Sequence, residues 1–537
     1  MIFLQLLGGI TLKKHAWMIA FAPVALLSMA ACGNGGDGDE AASSEIDEDI
    51  EMDVDEDSRD LTIALGTDIV TFDIHDHNNT STEAVHVNMF DYLVQNDHEN
   101  EEFIPKLAED YELVDDYTWS FTLREGVTFH NGDPLTSEDV KYTLERVATD
   151  ESLQEHSLYN VIEEVEVIDE LNFNIITAEP EPILLNRLSR IGSGILPSEY
   201  IEENGWDHFL ENPIGTGEFQ FVEWARDDRV VFEAYEDYWN GQNEEWDTLT
   251  FRIIPENSTR VAELLTGGVD IAVNVPPSEW ERIEDADGVS LMSESSNRVL
   301  MLMLRNTEGY PTSDPLVREA IDLAIDNEAI IESILMDAGT ATRTRVTPGN
   351  NGANEDLYET NVYDIDRALE LMAEAGYEEG FDMTLHSPRG RYLQDTEVAE
   401  LVAGMLAAIN VNVNLEFMEW SNFVDLRQSG SHEDSFMIGF GNSMADADNA
   451  LDRYYSTESE GEHDYVNAEV DELLDAARQN MDLDERAEQH QRVQEIIAEE
   501  RPDIYLHQES INVGVNDRLN YTPTFDEMFY VDTITRN

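Results

Sequence analysis

The chain has 537 residues, with 116 acidic and 30 basic side chains and a formal net charge of −86 at pH 7. This charge excludes nucleic acid as a partner, because no basic surface could offset the negative field. It predicts a protein that works in concentrated salt, where the Debye length falls to about 3 Å near 1 M, with an alkaline medium as the alternative. Apolar residues make up 41%, which is enough for a buried core, and the single Cys32 excludes an intrachain disulfide.

Residues 1–31 are predicted to be a signal peptide, with Lys13 in a positive region ahead of an apolar run. The small residues before Cys32 resemble the lipobox of bacterial lipoproteins, which implies that Cys32 becomes a lipidated first residue. The alternatives are an ordinary secretory leader and a membrane helix, although Pro23 and the shortness of the run argue against a span. Residues 32–60 combine this cysteine with a Gly, Asp, Glu and Ser-rich segment, which is predicted to be a flexible acidic tether.

The first predicted elements after the tether are a strand at 61–65 and a helix at 83–92. The loop between them offers His75, Asp76 and His77 as potential metal ligands, with His86 nearby. Adjacent histidines on an irregular loop are more often solvated than ligating, so no metal site is predicted.

Residues 117–146 predict a strand, a turn and a helix. Alternating apolar and polar residues over 117–123 indicate a half-buried strand, and Asn131-Gly132-Asp133-Pro134 predicts a turn. Thr136 and Asp139 resemble a capping box at the start of the helix. The alternating residues of 161–177 then predict a β-hairpin.

The second half of the chain predicts a parallel sheet. Short strands at 383–386, 411–417 and 436–440 alternate with helices at 397–409 and 420–428, and this β-α-β-α-β order implies right-handed crossovers. Ligands gather beyond the carboxyl ends of such strands, which places a pocket near 386–389, 418–420 and 441–446.

Further elements flank this unit. Helices are predicted from Asp314-Pro315 onward, with Asp as N-cap and Pro at the first helical position, and at 365–375, 470–477 and 485–497. Buried strands are predicted at 298–306, 504–507 and 511–515.

Two motifs carry a resemblance to a known family. W-x-F-x-L-R-x-G-V-x-F-H-N-G-D-P at 119–134, followed by E-D-V, is similar to the signature of family 5 of the ABC-importer solute-binding proteins, which carry peptides, nickel and related solutes. Pro213 to Phe219 resembles the family's P-x-G-T-G-P-F, with Glu218 in place of the second proline. The resemblance covers nearly everything from residue 61 to the end.

The resemblance implies an α/β, two-lobed fold like that of the periplasmic binding proteins (type II, cluster C), with an extra subdomain in the first lobe. The first lobe would be 61–295, with an inserted subdomain at about 95–205, and the second lobe 296–505. Residues 506–537 would return to the first lobe. Relatives close on the ligand by hinge bending.

The resemblance also implies where a ligand is held. Peptide-binding relatives often have G-W-x-x-D after the last strand, where the Asp pairs with the peptide's α-ammonium, but Ser443 takes that place here. Asp446 or Asp448 would then supply the counter-ion, and the local pattern is closer to glutathione-binding members. Arg298 or Arg427 would pair with a ligand carboxylate, although Arg427 could lie on a solvated helix and Trp420 could be a core residue. The full set of candidate contacts is Asn78, Thr80, Asn274, Arg298, Trp420, Arg427, Phe440, Gly441, Asn442, Ser443 and Asp446.

The function implied is a lipid-anchored, monomeric receptor on the outer face of the cell membrane. It would capture short or glutathione-like peptides and deliver them to an ABC permease with its ATPase. The same class could instead bind a nickel chelate, haem or an oligosaccharide, and a chemoreceptor-feeding or chaperone-like surface protein stays open. A secreted hydrolase is a distant alternative, since no catalytic motif stands out. No enzyme activity, metal or cofactor is predicted.

Overall fold

The computed structural model describes residues 58–97 and 102–537. The predicted signal peptide, Cys32 and all but the last three residues of the predicted tether lie outside the described residues. Within the described ranges, none of the helices has the length and apolar character needed to cross a bilayer.

The described chain contains nineteen strands. In chain order they are β1 Asp60–Leu65, β2 Val94–Asp97, β3 Glu102–Pro105, β4 Ala108–Asp115, β5 Thr118–Leu123, β6 Ile162–Val167, β7 Asn172–Thr177, β8 Phe219–Ala225, β9 Arg229–Ala234, β10 Thr248–Ile253, β11 Ile271–Ala272, β12 Val289–Leu304, β13 Gly339–Thr340, β14 Phe381–Pro388, β15 Val411–Met418, β16 Ser435–Phe440, β17 Asp503–Asn516, β18 Leu519–Asn520 and β19 Thr535–Arg536.

The same ranges contain sixteen α-helices and several short 3₁₀ turns. The helices are α1 Thr80–His86, α2 Ser137–Thr149, α3 His156–Tyr159, α4 Leu184–Leu188, α5 Ser198–Asn204, α6 Trp206–Glu211, α7 Asn257–Leu265, α8 Trp280–Glu284, α9 Pro315–Ala324, α10 Asn327–Ser333, α11 Ile365–Glu374, α12 Asp395–Leu406, α13 Trp420–Gln428, α14 Ala447–Leu451, α15 Ala468–Arg478 and α16 Leu483–Glu500.

One large sheet organises the fold. Its strands follow the order β15-β14-β16-β12-β17-β11-β1-β10-β9-β8, and β13 also pairs with β17. The pairs β14/β15 and β14/β16 are parallel, as are β1/β10 and β1/β11. The long strands β12 and β17 lie between these two parallel groups and pair with each other antiparallel along most of their length. They therefore join the two halves of the sheet.

Four hydrophobic cores pack around this framework, one of them a small core around Val261 and Leu264 of α7. The first-lobe core runs from Leu61 to Phe90, takes in β8, β9 and β10, and is completed by Val513 to Ile534 near the end of the chain. A side core lies within 93–195, around the separate sheet β4-β5-β7-β6. The second-lobe core lies within 299–506. Residues near both ends of the described chain therefore share one core, whereas residues 299–506 build another.

Several predicted elements are confirmed. The order β14-α12-β15-α13-β16 forms the expected parallel unit, and β6-β7 is the expected hairpin. The Asp139 carboxylate accepts hydrogen bonds from the Thr136 amide at 2.9 Å and hydroxyl at 2.8 Å, which completes the predicted cap of α2. Asp314 caps α9, with Pro315 at its first position.

Two predictions of strand and helix bounds are wrong. The predicted strands at 504–507 and 511–515 are one continuous strand, because the polar residues between them are buried where the halves of the sheet meet; Gln508 Nε2, for example, donates to the Ser296 carbonyl at 2.5 Å. The predicted helix at 83–92 is α1, which is capped by Asn79 and ends at His86. The chain then turns, and the Met89 carbonyl accepts a hydrogen bond from the Gly217 amide at 2.9 Å.

Candidate ligand cavity

A cavity of about 1000 Å³ opens at the carboxyl ends of the parallel strands. Its second-lobe wall includes Arg389 to Glu397 after β14, Trp420 after β15 and Phe440 to Ala445 at the end of β16. Its first-lobe wall includes Asn78 to Ser81 and Asn274. The cavity therefore lies between the lobes, at the strand ends where the sequence argument places a pocket.

The charge of the cavity wall departs from that of the whole chain. Eight arginines and eight carboxylates line it, against 30 basic and 116 acidic residues in the full sequence. The arginines are Arg190, Arg260, Arg298, Arg345, Arg389, Arg391, Arg427 and Arg453, and the carboxylates are Glu83, Glu155, Asp395, Glu397, Asp452, Glu509, Asp526 and Glu527. The wall is thus balanced, and it offers partners for both ends of a zwitterion.

Arg298 lies in the cavity wall but is already paired. Its Nη2 is 3.1 Å from Glu527 Oε1, and its Nε is 3.6 Å from Glu509 Oε2. Burial raises the pKa of Glu509 to about 7, although Arg298 opposes this shift. The arginine is therefore neutralised by the protein itself, which weakens the prediction that it pairs with a ligand carboxylate.

Phe440 forms the centre of a cationic face. The guanidinium carbons of Arg453, Arg345 and Arg427 lie 3.8, 4.5 and 5.6 Å from the centre of its ring. Arg427 is mostly buried beside Glu462 and does not lie on a solvated helix face. Three cations around one aromatic ring form a strongly polarised patch in the cavity wall.

Trp420 contributes to both the core and the cavity. Its ring is 5.6 Å from that of Phe423 in the second-lobe core. It also faces the cavity, where the Arg391 guanidinium stacks on it at 5.2 Å. The two alternatives for this residue are therefore not exclusive.

The loop after β16 presents backbone and small polar groups to the cavity. Asn442 is buried and donates to Asn350 Oδ1 at 2.9 Å, while its carbonyl accepts from Asn297 Nδ2 at 3.1 Å. Ser443 is exposed at the cavity wall, next to the half-buried Gly441. Hydrogen bonds of Asn442 thus hold the loop in place, while Ser443 is accessible from the cavity.

Asp446 is a wrong prediction. The other ten candidate residues line the cavity, but Asp446 does not. It is fully buried, and its two carboxylate oxygens accept from Arg486 at 2.6 and 2.7 Å. Asp448 also lies off the cavity wall and is 3.5 Å from Arg478. Neither carboxylate is placed to meet a ligand amine, because each already serves an arginine of the second lobe.

The sequence argument indicated that the histidines near the first-lobe wall are solvated, and this expectation is wrong. His75, His77 and His86 are buried, and burial lowers the pKa of His77 to about 4. His86 stacks on Phe72 at 5.3 Å, so these rings serve the first-lobe core. No cluster of potential metal ligands occurs in residues 58–97 and 102–537.

Sequence reasoning missed most of the cavity arginines. Arg345 and Arg453 lie in segments that carry no motif, and only the fold brings them to Phe440. Arg389 and Arg391 had a usable signal, since they directly follow a strand in a chain that is poor in basic residues. In an acidic chain with few arginines, arginines that cluster at strand ends therefore indicate a ligand site.

Comparison with known families agrees with this geometry. The model of "Bacterial extracellular solute-binding proteins, family 5 Middle" matches residues 102–462. The chain belongs to this family. Membership makes it an extracellular solute-binding protein, a class defined by binding its substrate.

Individual relatives are similar over most of their length. The glutathione-binding protein GsiB of Salmonella paratyphi A is 29% identical over 461 residues, which cover 84% of this chain and 89% of the relative. The dipeptide-binding protein of Escherichia coli K12 is 27% identical over 462 residues, with 80% and 85% covered. The Helicobacter pylori periplasmic binding protein DppA, solved with the peptide STSA, matches with a TM-score of 0.75 at 24% identity, covering 89% of this chain and 98% of that one. The fold is the two-lobed one of the periplasmic binding proteins.

Proposed function

We propose that this protein captures short peptides outside the cytoplasm and delivers them to an ABC permease with its ATPase. The observation that carries the proposal is the balanced charge of the cavity wall in a chain of net charge −86. A peptide is a zwitterion, so it needs a cation and an anion at fixed positions as well as backbone partners. The names of the glutathione- and dipeptide-binding relatives support the same class of solute.

The size and polarity of the cavity favour a peptide over other solutes of the family. A volume of about 1000 Å³ accommodates a peptide of a few residues. Haem would require a more apolar wall than one with sixteen charged side chains. A nickel chelate or an oligosaccharide remains the alternative, and both are included in the test below.

The proposed mechanism is closure of two lobes around the solute without chemical change. The lobes are assigned as 61–295 and 296–505, with an inserted subdomain at about 95–205 and residues 506–537 returning to the first lobe. The hydrophobic cores support this division. Closure would create a surface that the permease recognises, so that peptide binding acts as the signal for transport.

The attachment of the protein is proposed from its N-terminal sequence. A signal peptide at 1–31, a lipidated Cys32 and the acidic tether up to residue 60 would hold a monomeric receptor on the outer face of the cell membrane. The tether would let the receptor reach the permease while remaining anchored. The large negative charge supports a habitat of concentrated salt, where it is screened.

Isothermal titration calorimetry in molar KCl tests the proposal. Di- and tripeptides, glutathione, nickel–histidine and oligosaccharides are titrated into the purified protein, and recovered peptide is checked for cleavage. We expect saturable heat with peptides and intact peptide afterwards. If only the nickel complex or a sugar gives heat, that compound is the solute and the peptide proposal is wrong. Peptide cleavage that is abolished by changing one carboxylate would indicate a hydrolase.

A further inference from the structure

Arg345 is a buried arginine of the cavity wall with two unused hydrogen-bond donors. It is 4% exposed, and its Nε and Nη1 make no hydrogen bond within the described residues. Burial lowers the pKa of Arg345, and the neighbouring Arg453 lowers it further. A buried guanidinium without hydrogen-bond acceptors is costly, because its lost hydration is not replaced.

Two other buried arginines, Arg260 and Arg318, show how such a side chain is usually satisfied, and Arg187 leaves only its Nε without a hydrogen bond. Arg260 donates to the carbonyls of Ile254 and Val273, among others. Arg318 donates to the carbonyls of Thr312 and Glu500. The protein supplies acceptors to Arg260 and Arg318, whereas Arg345 leaves both Nε and Nη1 unused at the cavity wall.

Several carboxyl groups face the cluster around Arg345. Arg453 and Arg427 share Glu462, with N–O distances of 2.6 and 3.6 Å. Asp452 and the buried Asp503 also interact electrostatically with Arg345, and burial raises the pKa of both although Arg345 opposes the shift. Tyr454 and Tyr505 face Arg345 as neutral groups. Three guanidiniums therefore meet three carboxyl groups, burial favours the neutral form of two of these, and none of the three accepts a hydrogen bond from Arg345 Nε or Nη1.

A second cationic position exists on the same wall. Arg389 stacks on Phe417 at 5.0 Å, and Arg391 stacks on Trp420 at 5.2 Å. Both are exposed and make no ion pair with the described part of the chain. They are therefore available for the α-carboxylate that every free peptide carries.

We infer that the captured peptide is acidic, and that the carboxylate of its side chain binds the cluster formed by Arg345, Arg427 and Arg453 at Phe440. This inference rests on the proposed function and adds the chemical class of the peptide. The guanidinium of Arg345 suits a carboxylate, which would accept a charge-assisted hydrogen bond from an N–H donor that the protein leaves unused. The peptide thus supplies the missing acceptors, and unoccupied protein keeps the desolvated cation.

The first test compares Gly-Glu-Gly with Gly-Gln-Gly by calorimetry on the full protein. The two peptides are nearly isosteric and differ by one charge. We expect the glutamate peptide to bind roughly tenfold to a hundredfold more tightly, the range for a buried charge-assisted hydrogen bond. Equal affinities overturn the inference while leaving peptide capture intact, whereas heat with neither peptide but with a nickel complex or sugar removes the proposed function itself.

The second test uses Arg345→Met, which keeps the stem and removes the charge. We expect the preference for glutamate over glutamine to fall to about threefold or less, because Gly-Glu-Gly loses more affinity than Gly-Gln-Gly. Arg226→Met is the matched control, because Arg226 also stacks on an aromatic ring, Trp224 at 4.0 Å, but is exposed away from the cavity. This control should keep the full preference.

Amidating the C-terminus of both peptides tells whether Arg345 binds the side-chain carboxylate or the α-carboxylate. If Arg345 binds the side-chain carboxylate, the loss caused by Arg345→Met persists with amidated Gly-Glu-Gly. If that loss disappears on amidation and is unchanged by replacing Glu with Gln, Arg345 binds the α-carboxylate and the inference is wrong. Should Arg345→Met fail to fold, the same comparisons with Arg453→Met and with the unmodified protein decide the question.

Discussion

At the scale of single residues, Asp446 has a structural role. It caps α14 through the Asp448 amide at 2.9 Å and forms a bidentate pair with Arg486 inside the second lobe. Removing one partner of a buried pair leaves an uncompensated charge. Asp446 directly follows the cavity-lining segment that ends at Ala445, which explains why the sequence pattern suggested a ligand contact.

We therefore predict that Asp446→Ala lowers the free energy of unfolding by about 3–5 kcal/mol. Chemical denaturation at fixed molar salt measures the change. The matched control is Arg367→Ala in the exposed pair Arg367–Glu374, which should have little effect because solvent screens it. A small effect of Asp446→Ala, with lost peptide binding, would restore its assignment as a ligand residue.

Glu509 gives a pH dependence. Its pKa in the folded protein is about 7, raised from 4.5 by burial, although Arg298 opposes the shift. The folded state therefore holds a proton that the unfolded state releases between these values. Stability from this group is present below about pH 4.5 and is lost as pH rises through about 7.

The prediction is that the wild type loses stability relative to Glu509→Gln as pH rises from 5 to 8. The relative change is on the order of 1–3 kcal/mol. Denaturation curves of both proteins at several pH values provide the measurement. A stability difference that stays constant over this range would show that Arg298 keeps Glu509 ionised throughout.

At the scale of elements, the P-I-G-T-G-E-F segment is explained by backbone packing. A Cβ added to Gly215 would lie 2.1 Å from the Met89 carbonyl oxygen, and one on Gly217 would lie 2.5 Å from the Met89 carbonyl carbon. Only glycine allows the segment to lie against the turn that follows α1. The two glycines of the motif therefore hold this segment against the turn at Met89.

Gly215→Ala is predicted to destabilise the protein by about 1–3 kcal/mol, because the backbone of Met89 must move. Gly404→Ala is the control. Gly404 lies within α12, and a Cβ added to it would meet no atom within 4 Å. Alanine should therefore stabilise the helix by about 0.5–1 kcal/mol. Melting curves of the two variants should shift in opposite directions, and a neutral Gly215→Ala would contradict the packing argument.

Local pattern was sufficient where an element is built by its own residues. The β6-β7 hairpin was predicted because it pairs strands that are adjacent in sequence, and the β-α-β-α-β unit was predicted because each of its strands and helices has its own local pattern. The continuity of β17 was not, because the burial of His507, Gln508 and Glu509 depends on β12 more than 200 residues away. Arg345 was missed for the same reason, since Phe440 meets it only in the folded chain.

At the scale of the whole molecule, net charge governs stability. A charge of −86 destabilises the compact state by self-repulsion unless it is screened. We predict that the melting temperature rises steeply between about 0.1 and 1 M KCl, over which the Debye length falls from about 10 to about 3 Å. The same titration nearer the isoelectric point of about 4.1 should give a smaller rise, and a melting temperature independent of KCl at pH 7 would contradict the argument.

Closure of the lobes can be tested away from the cavity. Asn186 in α4 is buried and donates from Nδ2 to the Met444 carbonyl of the second lobe at 2.8 Å, yet it does not line the cavity. This bond can exist only when the lobes are together, so it favours the closed form. Breaking it should weaken binding of every peptide without changing which peptide is preferred.

We predict that Asn186→Ala weakens peptide affinity about twofold to tenfold, the value of one net hydrogen bond. Calorimetry gives the affinity, and small-angle scattering should show that peptide contracts the variant less fully than the wild type at equal concentration. Asn204→Ala is the control, since the exposed Asn204 side chain donates within α5, to the Tyr200 carbonyl at 2.9 Å. Unchanged affinity together with full contraction in Asn186→Ala would mean that this contact does not hold the lobes closed.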